Sequence, residues 1–512
     1  MVARLVADAA AQALTVMAVW STPRSGPPDA AELQLAREAL QARRRRWLMN
    51  GVIGLCFVGA LVPDTLSMSD IGPAASHTIT GGSTVRQLEF GPIFAICAWL
   101  IWRHPRDSIQ RLRGINLGLV ALMIYCLVTA LWSPYPVLTV KRAAMFAGIM
   151  LTGFALAAPS GSPRQIWRAT TGVLTVLLGI SCLVAVFWPQ VGVDYLLGGA
   201  WRGIMWQKNV LGSVAAVASL LWLRECLMPC DSRSVARARA AALLFSLFML
   251  VMADSATSKL VTGISFAIYL ATRRKLTDDR TGSILLLVGA LLGMYVLLAF
   301  YLVAGRLPDI EDVRGFVTGL FNKSSDLTGR DQIWEMVWLS IRQHPIWGGG
   351  YGAFWVGDDG PAAYVKQALG WMPPHAHNGY LDILNELGEV GLGLFFVALL
   401  WHTVSLIWLY FRDRDEAAFH MALFVSIVIS NYSETQLLAD TALQNLLFLF
   451  SAMSVGTTVA LTRQARREAS RAAAVAARAD SANVGAGASG GAGAGAAVRD
   501  SASPASAGSF KV

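Results

Sequence analysis

Of the 512 residues, 55% are hydrophobic and 15% charged, and the formal net charge is +9. That balance points to a membrane protein, and the 17 Trp suit membrane–water interfaces. The basic residues recur between apolar runs instead of forming one stripe, which argues against a nucleic-acid partner.

Residues 1–20 hold an apolar run that Asp8 interrupts, and no cleavage site follows, so no signal peptide is expected. Residues 21–46 are polar and basic, and residues 1–46 are expected to form a cytoplasmic N-terminal segment. Apolar runs of spanning length then recur about twelve times. They lie near 47–63, 88–103, 115–132, 142–158, 167–188, 208–223, 239–253, 257–271, 282–304, 388–410, 417–432 and 441–462. The predicted fold is therefore all-α: a polytopic integral membrane protein with about twelve transmembrane helices and one large outer loop. The first nine spans fill 47–304, the loop fills 305–387, and the remaining spans fill 388–462. Residues 463–512 are rich in Ala and Gly, and this low-complexity tail is expected to be disordered.

Lys and Arg cluster in alternate connections, such as Arg103–Arg113, Arg224–Arg239 and Arg273–Arg280. That side is predicted to be cytoplasmic, which puts both termini inside and the large loop outside. Outer loops should be poor in cations, so those they keep invite another explanation. Cys56, Cys97, Cys126 and Cys182 fall in spans, and Cys226 and Cys230 in an inner connection, so no outer disulfide and no zinc site is expected.

Several outer stretches carry chemistry. Trp132-Ser-Pro-Tyr-Pro136 ends one span, and Lys141-Arg142 opens the next; interfacial anchoring explains them as well as a functional role does. Lys208-Asn209 stands at a helix mouth, where an ammonium, an amide and N-terminal N–H groups bind anions. Ser255, Ser258 and Lys259 sit at another mouth. Within the loop, Ile333, Val337, Trp338 and Ile341 have helical spacing, with Arg330 at the start of the predicted helix. The run Pro345-Ile-Trp-Gly-Gly-Gly-Tyr-Gly352 reads either as a phosphate-approaching turn or as a connector. His375-Ala-His377-Asn378-Gly-Tyr-Leu-Asp382 then opens a helix near His377 or Asn378. On that helix Asn378, Asp382, Glu386 and Glu389 share roughly one face. Ionisable groups near lipid are costly, which favours function over a polar cap.

Together these motifs resemble the bacterial O-antigen ligase/polymerase superfamily, above all its exopolysaccharide-polymerase branch of the succinoglycan-polymerisation type. The likeness rests on Trp132-Ser-Pro-Tyr-Pro with Lys141-Arg142, on Gln207-Lys208-Asn209 and on Ser255-Ala-Thr-Ser-Lys259. It rests further on Gly329-Arg330 with Trp334, on the Pro345 run, and on His375-Ala-His377-Asn-Gly-Tyr with Glu386-Leu-Gly. Lys259 departs from the pattern, since many relatives carry Arg there. The resemblance implies a fold like the polytopic lipid-donor (GT-C-type) glycosyltransferases. It implies a glycosyltransferase of the bacterial inner membrane with a periplasmic site, acting on polyprenyl-pyrophosphate-linked glycan. The second substrate is a glycan acceptor, and the expected company is the bilayer with flippase and chain-length or export proteins. No cofactor or metal is expected. A polymerase passes the growing glycan to another lipid-linked unit, and a ligase passes it to the lipid A core.

The residues suit that chemistry. Breaking the anomeric bond places negative charge on the pyrophosphate, for which Arg330, Lys208, Arg142 and Lys259 are the candidate cations. The acceptor hydroxyl needs a base, and His377 is preferred to His375 because it adjoins the helix start. Asn209, His375, Asn378 and Glu386 are the remaining candidates for binding or orienting substrate. A transporter would call for inverted repeats and mid-span charges. An HxH metal site would need more ligands than the sequence offers close together.

Overall fold

The computed structural model describes residues 30–62, 84–157, 163–195, 198–230, 232–273, 330–357, 359–439 and 442–489. Helices make up most of it. They are α1 (Ala30–Leu61), α2 (Thr84–Arg103), α3 (Pro105–Leu112), α4 (Leu117–Val128), α5 (Pro136–Leu156) and α6 (Pro163–Phe187). Then come α7 (Lys208–Cys226), α8 (Arg233–Met252), α9 (Ala256–Arg273), α10 (Arg330–Ile341) and α11 (Ala363–Leu369). The last are α12 (Gly379–Tyr410), α13 (Arg414–Ser433) and α14 (Leu443–Ser489). The only strands among the described residues form the antiparallel hairpin Val193–Asp194 with Ala200–Trp201. Local chemistry sets the helix starts. Pro begins α3 and α5, where its missing N–H costs nothing. Asn116, Asn378 and Asp413 cap α4, α12 and α13 through their side-chain oxygens.

The chain is an all-α membrane protein. Among the described residues α5, α6, α8, α12 and α14 are long and apolar enough to cross a membrane, and the α3–α4 pair, bent by 97°, would add one more. Helices α7, α9 and α13 do not pass that test by themselves, and they are flanked by other helices: α7 by α6, α8 and α9, and α13 by α9 and α12. The expected spans fall on helices, except 282–304, which lies outside the described residues together with 305–329. The six cysteines are free thiols.

Two expectations need correction. The stretch 463–489 was expected to be disordered, yet α14 runs on to Ser489. Its Ala- and Arg-rich sequence has high helix propensity, which outweighs low complexity. The chain divides into two compact units, Met1–Val459 and Ala460–Val512. The second correction concerns α12, which is interrupted at Gly388 (φ 66°, ψ −169°). Only glycine adopts that conformation without strain. The break separates Glu389 from the face that carries Asp382 and Glu386.

The segment Pro345–Gly350 fills the break. Gly349 N and Gly350 N donate to Asn385 O (3.0 Å) and Glu386 O (2.9 Å), while Glu389 N and Val390 N donate to Pro345 O (2.9 Å) and Ile346 O (3.2 Å). Tyr125 Oη adds bonds to Trp347 O and Leu387 O. Backbone groups freed by the break are thus paired within the protein, as a low-dielectric setting demands.

Candidate functional site

The C-terminal end of α13 meets the N-terminal ends of α7 and α10 at Glu434, the C-cap of α13, which is 7% exposed. One carboxylate oxygen, Oε1, accepts from Asn209 Nδ2 (2.7 Å) and Arg330 Nη2 (3.2 Å). The other, Oε2, lies 2.9 Å from His377 Nδ1 and 3.8 Å from His375 Nε2. Arg330 also donates to Ser433 O at 2.8 Å. Four of the nine residues singled out from the sequence, His375, His377, Arg330 and Asn209, therefore converge on a glutamate that motif reasoning passed over. Its signal was faint: a lone acid in Ser433-Glu434-Thr435, just past an apolar run.

The histidines are held by their surroundings. His377 has φ 52°, a left-handed conformation uncommon for non-glycine residues and often found at functional sites. It turns the chain just before Asn378, whose extended backbone caps α12. Ala376, between the histidines, is clamped at both ends: Trp334 Nε1 donates to its carbonyl at 2.9 Å, and its N–H donates to Asp382 at 3.1 Å. Helix α10 carries both Arg330 and Trp334, one turn apart, and seats itself through buried Ile333, Val337 and Ile341.

Protonation follows from this geometry. Burial pushes the Glu434 carboxyl upward, but the hydrogen bond and charge of His377, with His375 and Arg330, overrule it and hold it at about 2. An ionised carboxylate only accepts, so His377 Nδ1 carries the proton of this bond, and Nε2 is the ring nitrogen left to face a substrate. Burial, reinforced by neighbouring His377, pushes His375 down to about 3, so its ring is neutral. His375 Nδ1 accepts from His377 N at 3.1 Å, which places the His375 proton on Nε2.

Ligand atoms of His375, His377 and Glu434 also lie within 4.8 Å of one another, a spacing that suits a metal ion. The donor set fits one poorly. His375 Nε2 must lose the proton its Nδ1 bond assigns to it, and Arg330 already places a positive charge on the same carboxylate. A carboxylate-oriented imidazole is instead suited to accept a proton from a hydroxyl.

The remaining candidates sit elsewhere. Asn378 caps α12, accepting from Tyr380 N (3.1 Å) and Leu381 N (3.3 Å). Glu386 accepts from Gly352 N at 2.8 Å, and Arg142 donates to Gly352 O. The N–H groups of the glycine run are committed inside the protein, those of Gly348, Tyr351 and Ala353 to His344 O, Thr129 Oγ1 and Gly350 O. The run is accordingly neither a phosphate cradle nor a loose connector but a plug. Lys259 pairs with Asp254 at 2.6 Å on an exposed surface. Lys208, beside Asn209 in the first turn of α7, has no partner among the described residues.

The carboxylate–histidine pair beside the Arg330 guanidinium is an arrangement that can move a proton next to an anionic group. The family comparison is more specific. Residues 241–396 match the family model described as O-antigen ligase, a stretch that includes Arg330 and both histidines but not Asn209 or Glu434. The Exopolysaccharide production protein ExoQ of Rhizobium meliloti (strain 1021) is 24% identical over 293 residues, 56% of this chain and 63% of that protein. The match thus spans less than two thirds of that relative. Together these findings bear out the likeness to the O-antigen ligase superfamily and its exopolysaccharide branch.

Proposed function

We propose that this protein is a membrane glycosyltransferase that polymerises polyprenyl-pyrophosphate-linked oligosaccharide units at the periplasmic face of the inner membrane. The observation that carries the reading is the 2.9 Å pairing of His377 Nδ1 with Glu434. In this mechanism His377 Nε2 removes the proton of the acceptor hydroxyl. The hydroxyl oxygen attacks the anomeric carbon, and the anomeric C–O bond breaks. The electron pair leaves with the pyrophosphate, where Lys208, Arg330 and the N-terminus of α7 offset the charge. Protein cations, not a metal ion, supply that compensation.

Because the matching model is described as O-antigen ligase, transfer to a lipid A core is the second reading. Deletion followed by analysis of both surface products separates the two. Loss of long exopolysaccharide with normal lipopolysaccharide supports polymerisation. Lipopolysaccharide lacking its O-antigen, with polymer left on the lipid carrier, supports ligation. The sidedness is tested by phosphatase fusions, expected to be active within 310–370 and inactive within 226–236.

A further inference from the structure

Asp382 lies in the first turn of α12 and is 5% exposed. Its Oδ1 accepts from Trp355 Nε1 at 2.8 Å. Ala376 N donates to the carboxylate at 3.1 Å to Oδ2, and the Thr435 hydroxyl donates to the same oxygen. Ala376 separates His375 from His377, and Thr435 follows Glu434. A single buried carboxylate therefore fastens the histidine segment to the glutamate turn, which lie 57 residues apart in sequence at the His377–Glu434 bond. An acid in a first turn also favours the helix dipole, but that role needs no contact with Ala376 or Thr435, and Asn378 already caps the helix.

The geometry points to Asp382 as the positioning residue of the proton-accepting pair: it sets the reach of His377 to Glu434 without touching substrate. This rests on the function proposed above. The physical reason is that both members of the pair stand on irregular backbone. His377 is in a left-handed turn and Glu434 is a C-cap, so neither is fixed by helix geometry alone. A displacement of about 1 Å in such a pair costs ~10²-fold in rate. Charged groups facing His377 are Glu434 and, through it, Arg330, with His375 alongside; none of them ties the two segments through the backbone as Asp382 does.

The test uses full-length purified protein and lipid-linked oligosaccharide, with Asp382→Asn and Thr435→Val. The second variant removes one hydroxyl and decides the matter if the first fails to insert. Expected is a fall in kcat of ~10²-fold with unchanged KM for the donor. Nitrogen spectra of labelled histidine should show His377 losing its preference for a protonated Nδ1. Wild-type kcat per folded molecule with an unchanged His377 spectrum overturns the proposal. His377→Ala separates the two levels. If that variant stays active, the proposed function fails. If it is inactive while Asp382→Asn and Thr435→Val turn over normally, only the positioning role fails.

Discussion

Glu416 and Glu434 stand at opposite ends of α13, and each faces an end of α7, yet their surroundings differ in kind. Glu416 is gripped by Arg224, with Arg164 at 3.8 Å and His420 at 3.4 Å. Its partners lie on helices, and the Arg224 side chain is 3% exposed. Arg273 and Arg164 extend the network through Asp415, and Arg168 and Arg239 through Glu225. Glu434 instead meets His375, His377 and Arg330, whose side chains are 16–23% exposed and stand on loops or a helix start. A sealed carboxylate with a guanidinium locked onto it ties helices together. A buried carboxylate that orients a partly exposed imidazole leaves a ring nitrogen available to a ligand. The same residue type ties helices together at one end of α13 and orients an imidazole at the other.

The sharpest way to break that contrast is turnover. In membrane vesicles supplied with lipid-linked substrate, His377→Ala is expected to lose ~10²–10⁴-fold in rate while inserting normally. Glu416→Gln should keep its rate per folded molecule. An equal loss in both would erase the distinction between the two ends. Next in size is Arg330→Lys. Lysine restores charge but not the fork that bonds Ser433 O and Glu434 together, so most activity should go and lipid-linked donor should accumulate. Excess EDTA on the purified protein should change little, and abolition restored by a divalent ion would return the His375–His377–Glu434 cluster to a metal reading.

At the sealed end the expected loss is in stability. Glu416→Ala leaves Arg224 buried without its carboxylate, at a cost of ~3–5 kcal/mol, seen as a lowered unfolding midpoint in detergent. The last effect is a pH slope. His375 titrates near 3 in the folded protein against an ordinary 6.5. The unfolded chain therefore takes up a proton that the site refuses, and stability falls as pH drops from 6.5 toward 3. Glu434, held near 2 against 4.5, adds to the fall below 4.5. His375→Gln should flatten the upper part of this slope, and an unaltered slope between pH 6.5 and 5 would remove His375 as its source.

Much of the helical architecture was legible because apolar run length and capping residues act locally. Arg330 at the head of a helix and the helix start at Asn378 were both readable from spacing. Glu434 was not, because its importance comes from residues far away in sequence: it meets Asn209 across 225 positions and Arg330 across 104. Asp382 was visible as a helical acid, but its ties to Trp355 and Thr435 were not. The glycine run misled for a related reason. Composition advertises exposed N–H groups, and only the tertiary structure reveals that the break at Gly388 consumes them. Arg142 and Lys259, read as candidate phosphate-binding cations, turn out to bond Gly352 and Asp254.

The plugged break has a consequence for the loop it closes. Pro345–Gly350 and Asn385–Val390 are stapled by main-chain hydrogen bonds, so residues 351–384 leave and re-enter the bundle at one point. Within that circuit α11 packs on α10, where Tyr364 Oη donates to Met336 O at 2.6 Å. Lengthening the circuit near Asp359, in the polar turn before α11, does not shift the register of the span, because the staple fixes both ends. Changes within this excursion leave the staple in place, provided that Ala376 and Asp382 keep their bond.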